Sequence, residues 1–184
     1  MPDMFRQPLS PPQLLASGMA GVILVGTLLL VTPMAGVAGA SVGWSAALFT
    51  ATSAVCVTGL VVVDLPTAFS GFGQAVVLLL IQIGGLGYMM LSTLVAVALG
   101  RRVSMNEQYS LQESLNLTSR QDILRFAMTV IKVTLAFELI GAAVLVVRWW
   151  GSFGLGALWL ALFHSVSAFN NAGFSLFSNN LMDW

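Results

Sequence analysis

Long and short apolar blocks alternate along the first half of the chain. Residues 14–31 follow a proline pair and are long enough for a membrane-spanning helix, which needs about 20 apolar residues. Residues 44–54 are apolar but too short to span, whereas residues 72–99 form a second long block. Residues 59–71, which contain Asp64, predict an extended return to the surface. The pattern predicts a span, a re-entrant half-helix, a hairpin and a second span.

The same order begins again after a polar connector. Residues 123–147 predict a third span, and residues 155–168 predict a second half-helix that leads into a second hairpin. We therefore divide the chain into a first unit at residues 1–100, a connector at 101–121 and a second unit at 122–184 that lacks its last helix. The fold class predicted from these blocks is all-α.

Composition places the chain in a membrane. It has 58% hydrophobic and 8% charged residues, whereas roughly 25% of the residues of soluble proteins are charged. The mean hydropathy is +0.92. A net charge of zero provides no basic surface for nucleic acid. The single cysteine, Cys56, excludes an internal disulfide and a multi-cysteine metal cluster. These features predict an integral membrane protein.

The arginines predict an orientation, because cytoplasmic loops of membrane proteins are rich in Lys and Arg. Arg6 lies two predicted crossings away from a group of arginines on the same side, which are Arg101, Arg102, Arg120 and Arg125. We therefore predict a multi-pass protein of the plasma (inner) membrane with a cytoplasmic N-terminus. The run Arg148-Trp149-Trp150 is typical of a membrane interface and predicts the end of the third span.

A seven-residue frame is repeated in the chain. Ser-Ala, four variable residues and Gly occur at 53–59 and again 114 positions later at 167–173. Non-helical backbone is tolerated at membrane depth only where it is buried in protein or lines a water-filled cavity. The partly negative C-terminal ends of the two half-helices would hold a cation there. The repeat predicts helix–pore-loop–helix units of an ion pore, one complete and one incomplete.

The segments around the repeat are similar to those of a known family. Residues 49–60, FTATSAVCVTGL, resemble the first pore loop of the Trk/Ktr/HKT superfamily of potassium transporters, most closely the bacterial Ktr-type channel-forming subunit. Residues 81–87 resemble the following helix, and residues 137–142 and 164–174 resemble the first helix and pore loop of the next unit. The resemblance implies a potassium-channel-like pore of four such units in one polypeptide.

The resemblance also implies site residues. Each unit contributes filter carbonyls from three residues, namely Val57, Thr58 and Gly59 in the first unit and Asn171, Ala172 and Gly173 in the second. The filter is flanked by Cys56, Leu60, Asn170 and Phe174. Potassium would bind only to these carbonyls. Glycine at position 59 favours potassium, because serine there accompanies sodium selectivity in plant members. A sodium-conducting family member remains an alternative.

Partners are implied in the same way. The family suggests a homodimer of full subunits and a cytosolic regulatory ring that binds nucleotide, so this chain itself would bind no cofactor. Two filter strands cannot encircle an ion, which favours a part of a longer subunit; a truncated protein that pairs with other chains is the alternative. A non-conducting membrane scaffold or sensor subunit also stays open. We predict no enzyme activity, since paired carboxylates and nucleophile–base sets are missing from the apolar blocks.

Some residues near the repeat have structural interpretations. Glu138 lies within a predicted span and is expected to bond to polar groups of a neighbouring helix rather than to act in conduction. His164 is expected to orient its half-helix through a hydrogen bond. Gly84, Gly85 and Gly87 are expected to serve close helix packing or a bend, since they follow no strand and therefore do not form a nucleotide-binding loop. Cys56 is expected to pack beneath the filter.

Overall fold

The computed structural model describes residues 11–87 and 120–182, and this part of the chain is helical with no β-strand. The helices are α1 (Pro11–Val31), α2 (Trp44–Val55), α3 (Leu65–Ala68), α4 (Gly71–Leu86), α5 (Arg120–Phe153) and α6 (Gly156–Phe169), with a 3-10 turn at Val37–Gly39. The predicted all-α fold class is therefore confirmed for the described residues.

The long helices agree with the predicted spans where both can be compared. Helix α1 ends two residues before Pro33, as expected from the missing N–H of proline. Helix α4 begins after Ser70, whose hydroxyl accepts a hydrogen bond from the Gly73 amide and so caps the helix. It ends at Leu86, and the remainder of the predicted second span, residues 88–99, lies outside the described residues.

The third long helix, α5, continues past the predicted end of the third span at residue 147. Trp149, predicted to lie at a membrane interface, has a side chain that is only 2% exposed and is packed within the protein. It lies edge-on to His164 and to Phe177, with 5.2 Å between ring centroids in both pairs. The helix thus continues to Phe153 with the Trp149 ring packed inside the protein, whereas Trp150 is exposed.

The two short apolar blocks form α2, with 12 residues, and α6, with 14. Helix α2 packs against α1 and α4, and α6 packs against α5 and α4. Fully buried alanines on α2, Ala47, Ala51 and Ala54, allow its neighbours to approach closely. Helix α4 is linked to α6 by the Trp159 indole, which donates to Gln74 Oε1 at 2.8 Å. Helix α4 therefore contacts both short helices.

The segment at residues 59–71, predicted to be extended, contains the one-turn helix α3. Asp64 precedes this helix, and the Thr67 hydroxyl donates to its Oδ2 at 2.8 Å. Pro66 lies in the first turn, where its missing N–H leaves no helical bond unmade. Leu65 and Phe69 are buried and anchor the turn in the core. These local features favour a helical turn that hydropathy alone does not predict.

One described helix, Arg125–Phe153, is long and apolar enough to cross a membrane. Three shorter apolar helices lie at Ala16–Val31, Gly71–Leu86 and Gly156–Phe169. Large apolar side chains on the long helix are exposed, among them Phe137, Leu139, Ile140, Val144 and Val147. Such surface requires lipid or further protein to cover it.

Candidate functional site

The two hairpins have the same backbone conformation. Val57 and Asn171 both have φ of 55°, in the left-handed region, and two residues later Gly59 and Gly173 have φ of 73° and 71°. The residues between them are not in that region. A β-branched residue such as Val57 rarely adopts this conformation, which costs of order 1–3 kcal/mol. The left-handed conformation occurs at equivalent positions of both repeats, so it belongs to the hairpin motif.

The ends of the short helices hold the hairpins in the same way. The Thr58 amide donates to Ser53 O at 2.9 Å, and the equivalent Ala172 amide donates to Ser167 O at 2.7 Å. These bonds reach back five residues and satisfy carbonyls at the helix end that have no helical partner. The serines of the repeated frame therefore close each half-helix with their backbone oxygens.

The two hairpins meet at their glycines. A Cβ atom added to Gly59 would lie 2.6 Å from Ala172 O and 3.1 Å from Gly173 Cα. A Cβ atom at Gly173 would lie 3.4 Å from Gly59 Cα. No side chain fits at Gly59 without moving the backbone of the second hairpin. The structure thus brings the predicted filter residues of the two repeats into one place.

The side chain of Asn170 supports the second hairpin. Its Nδ2 atom lies 3.2 Å from Gln82 Oε1 on α4, 3.2 Å from Glu138 Oε1 on α5 and 2.9 Å from Val166 O. Asn170 was predicted only as a flanking residue, and the sequence pattern did not indicate its partner Gln82. The cluster connects three helices behind one hairpin.

Glu138 is buried, with 3% of its surface exposed. Its side chain accepts from Asn170, and its backbone oxygen accepts from the Ser165 hydroxyl at 2.6 Å. The expectation that Glu138 bonds to polar groups of a neighbouring element is confirmed. Buried carboxylates are stable only when hydrogen-bonded, so this residue also fixes the position of α6 against α5.

His164 supports the segment after the second hairpin. Its Nδ1 atom lies 2.7 Å from Leu160 O, and its Nε2 atom lies 3.3 Å from the Leu176 amide. A carbonyl only accepts and an amide only donates, so the geometry requires the neutral ring with its proton on Nδ1. The predicted orienting role is confirmed. A further contact near His164 was not predicted from the sequence. The Ser167 hydroxyl donates a hydrogen bond to Phe174 O at 2.7 Å.

The first hairpin has a simpler set of contacts. The Thr58 hydroxyl donates to Ser53 Oγ at 2.9 Å, which ties the hairpin to its own half-helix. Leu60, predicted to flank the filter, is exposed at 63%. Cys56 was expected to be packed, and that expectation is wrong for this chain because its side chain is exposed.

Two glycines of α4 allow both hairpins to approach this helix. A Cβ atom at Gly84 would overlap the carbonyl of Val55, the last residue of α2, and one at Gly85 would overlap the side-chain amide of Asn170. Of the two predicted roles, close packing or a bend, close packing is confirmed for Gly84 and Gly85. Within the two described ranges, no group of three His, Cys, Asp or Glu side chains could hold a metal ion.

Comparison with known proteins identifies the family. The family model described as a cation transport protein, TrkH, matches residues 19–184. The chain belongs to the TrkH family. Members of this family are membrane proteins, in agreement with the long apolar helix.

Three relatives of this TrkH-family chain have names that describe a transport role. It is 42% identical over 176 residues to Ktr system potassium uptake protein B of Bacillus subtilis, covering 95% of this chain and 39% of the relative. It is 38% identical over 178 residues to potassium/sodium uptake protein NtpJ of Enterococcus hirae, covering 96% and 40%. The match to Ktr system potassium uptake protein B of Vibrio alginolyticus is 40% identical and covers 94% and 38%. The chain thus spans about two fifths of these relatives.

Proposed function

We propose that this chain forms the first part of a potassium-conducting pore and that its two hairpins contribute two strands of the selectivity filter. The observation that carries the proposal is the shared alternation of left-handed and other backbone conformations at equivalent positions of the repeat, with Gly59 and Gly173 in contact. Relatives named as potassium uptake proteins support it. We also propose that it lies in the plasma membrane as a multi-pass protein with a cytoplasmic N-terminus.

The proposed mechanism uses backbone oxygens. Alternation of handedness turns successive peptide groups so that their carbonyls lie on one side of a strand and their amides on the other. The carbonyls of Val57, Thr58 and Gly59, and those of Asn171, Ala172 and Gly173, would replace the water shell of the ion. The C-terminal ends of α2 and α6 each carry about half a negative charge and would stabilise a cation near the hairpins. No covalent step is involved.

Two strands cannot surround an ion, so we propose that the remaining strands come from a longer chain or from other subunits. The chain spans 39% of the Bacillus subtilis relative. We further propose a homodimer of full subunits and a separate cytosolic ring that binds nucleotide. The words "Ktr system" in the names of two relatives support a system of several components.

Sodium conduction is the second candidate, because one relative is named a potassium/sodium uptake protein. Glycine at position 59 supports potassium as the main ion. The two candidates differ in the ratio of potassium to sodium uptake by the full-length protein that contains this sequence.

The test is uptake in bacteria that lack their own potassium transporters. We expect the full-length protein to restore potassium uptake and G59A to reduce it by about tenfold or more, because alanine disfavours the positive φ and would strike the second hairpin. The matched control is G39A. Gly39 has a similar φ of 76° but nothing lies within 4 Å of its added Cβ, so transport should persist.

Two results would contradict the proposal. Unchanged uptake and an unchanged potassium-to-sodium ratio in G59A would show that the hairpins do not line the ion path. Failure of the wild-type protein to restore uptake despite insertion in the membrane would favour a scaffold or sensor subunit.

A further inference from the structure

A small cavity adjoins the glycines of both hairpins. It has a volume of ≈ 120 Å³, and its lining includes Gly59, Gly173, Asp64 and Ser178. It lies on the side of the hairpins where the chain continues into α3. The cavity is therefore next to the point at which the two proposed filter strands end.

Asp64 places a carboxylate at this cavity. Its Oδ2 atom accepts hydrogen bonds from the Thr67 hydroxyl and the Ser178 hydroxyl, both at 2.8 Å. These two groups are neutral, so they orient the carboxylate without cancelling its charge. Asp64 is also the only charged residue between Arg6 and Arg101 in the sequence. Negative charge in this part of the chain is thus concentrated at the cavity.

The repeat relates the two sides of the cavity. Asp64 and Ser178 are 114 positions apart and contact each other, and Gly59 and Gly173 have the same offset and are also in contact. Equivalent residues of two repeats meet only close to the axis that relates the repeats. The cavity therefore lies near the same axis as the hairpin glycines, in line with the proposed ion path.

We propose that Asp64 and this cavity bind an alkali cation, still partly hydrated, before it enters the filter. The inference rests on the proposed function and adds a site that the filter does not include. Carboxylate and hydroxyl oxygens are the ligands that hard cations prefer. A fixed charge in a partly enclosed cleft raises the local concentration of counter-ions. The site would therefore increase the apparent affinity for potassium more than the maximal rate.

The test is D64N in the full-length protein, with potassium uptake measured across a range of external concentrations. An asparagine oxygen still accepts hydrogen bonds from Thr67 and Ser178, so the substitution removes the charge and keeps the fold of the turn. We expect KM for potassium to rise roughly three- to tenfold with Vmax within about twofold of wild type. D64E should keep a KM near the wild-type value, because it keeps the charge.

The matched control is T67V, which removes one hydrogen bond to Asp64 and keeps its charge, because Thr67 does not line the cavity. Its KM should change by less than about twofold. A second measurement tests the charge by its response to salt. In the wild-type protein, choline chloride should raise KM for potassium by screening the carboxylate, and the same addition should leave the KM of D64N unchanged.

The outcomes separate this inference from the proposed function. A wild-type protein that does not transport potassium contradicts the proposed function. Normal transport with equal KM in wild type and D64N, at equal amounts in the membrane, overturns the cation site alone. A loss of Vmax in D64N without a change in KM assigns Asp64 a structural role and also overturns the cation site. If D64N does not reach the membrane, a wild-type KM that is insensitive to choline chloride overturns the site.

Discussion

The two hairpins share a backbone conformation but differ in what surrounds them. The first is tied to its own half-helix by the Thr58 hydroxyl on Ser53. The second is held by Asn170, which bonds to residues of α4 and α5, and by the His164 ring on the segment that follows. The common element is the backbone bond from the hairpin to the serine oxygen five residues earlier.

The comparison shows that the same backbone bond at the helix end accompanies the same φ pattern in both hairpins. The side-chain support around each copy is then free to diverge. Helix α4 contacts both copies through adjacent glycines. Gly84 packs against the end of α2, and Gly85 packs against Asn170. A pore built from these units would therefore be only pseudo-symmetric, with a second strand anchored to more elements than the first.

The largest effect is expected where α4 meets the first half-helix. In G84A the new methyl group would strike the Val55 carbonyl, which is backbone and cannot rotate away. We expect a loss of about 3 kcal/mol in the free energy of unfolding, measured by thermal unfolding of the full-length protein in detergent. G21A is the control, because nothing lies within 4 Å of its added Cβ.

The adjacent substitution G85A sharpens the same test. Its methyl group would strike the Asn170 side chain instead, so the losses of G85A and N170A should be less than additive in the double variant G85A/N170A. If the stability losses of the two single variants simply add in the double variant, contact with Asn170 is not the reason that residue 85 is glycine.

A smaller effect is expected from removing the buried carboxylate behind the second hairpin. E138A leaves the Asn170 amide without this acceptor, so we expect a loss of about 2 kcal/mol and a lower potassium-to-sodium uptake ratio. E138Q keeps an oxygen at that position and should retain most of the stability and most of the potassium-to-sodium uptake ratio. Equal effects of E138A and E138Q would mean that the charge, not the hydrogen bond, is what matters.

The smallest effect is expected in the first hairpin. T58V removes one hydroxyl bond to Ser53 but preserves the shape and the backbone bond, so stability should fall by about 1 kcal/mol. The double variant T58V/S53A isolates the coupling between the two side chains. If T58V loses more stability than E138A, the first hairpin depends more on its side-chain bonds than the second, which would contradict the proposed difference in anchoring.

Part of this arrangement could be predicted from local sequence. Apolar block length predicted α2 and α6 to within two residues, and the repeated frame indicated both glycine hairpins. The short helix α3 was missed because its signal is a single Asp–Leu–Pro–Thr turn within an otherwise apolar segment. The burial of Trp149 was missed because interfacial and packed tryptophans have the same sequence signature. The unit boundaries, the filter residues and the orientation stay predictions.

The sequence by itself determined where the chain is helical, where it turns and that it belongs in a membrane, because hydropathy, glycine and proline act over a few neighbouring residues. Only the tertiary structure decided which side chains support the second hairpin. Asn170 lies 88 positions from Gln82 and 32 from Glu138, and no local pattern encodes such pairs. The same holds for the contact of Asp64 with Ser178, because it depends on how the two repeats pack rather than on either repeat alone.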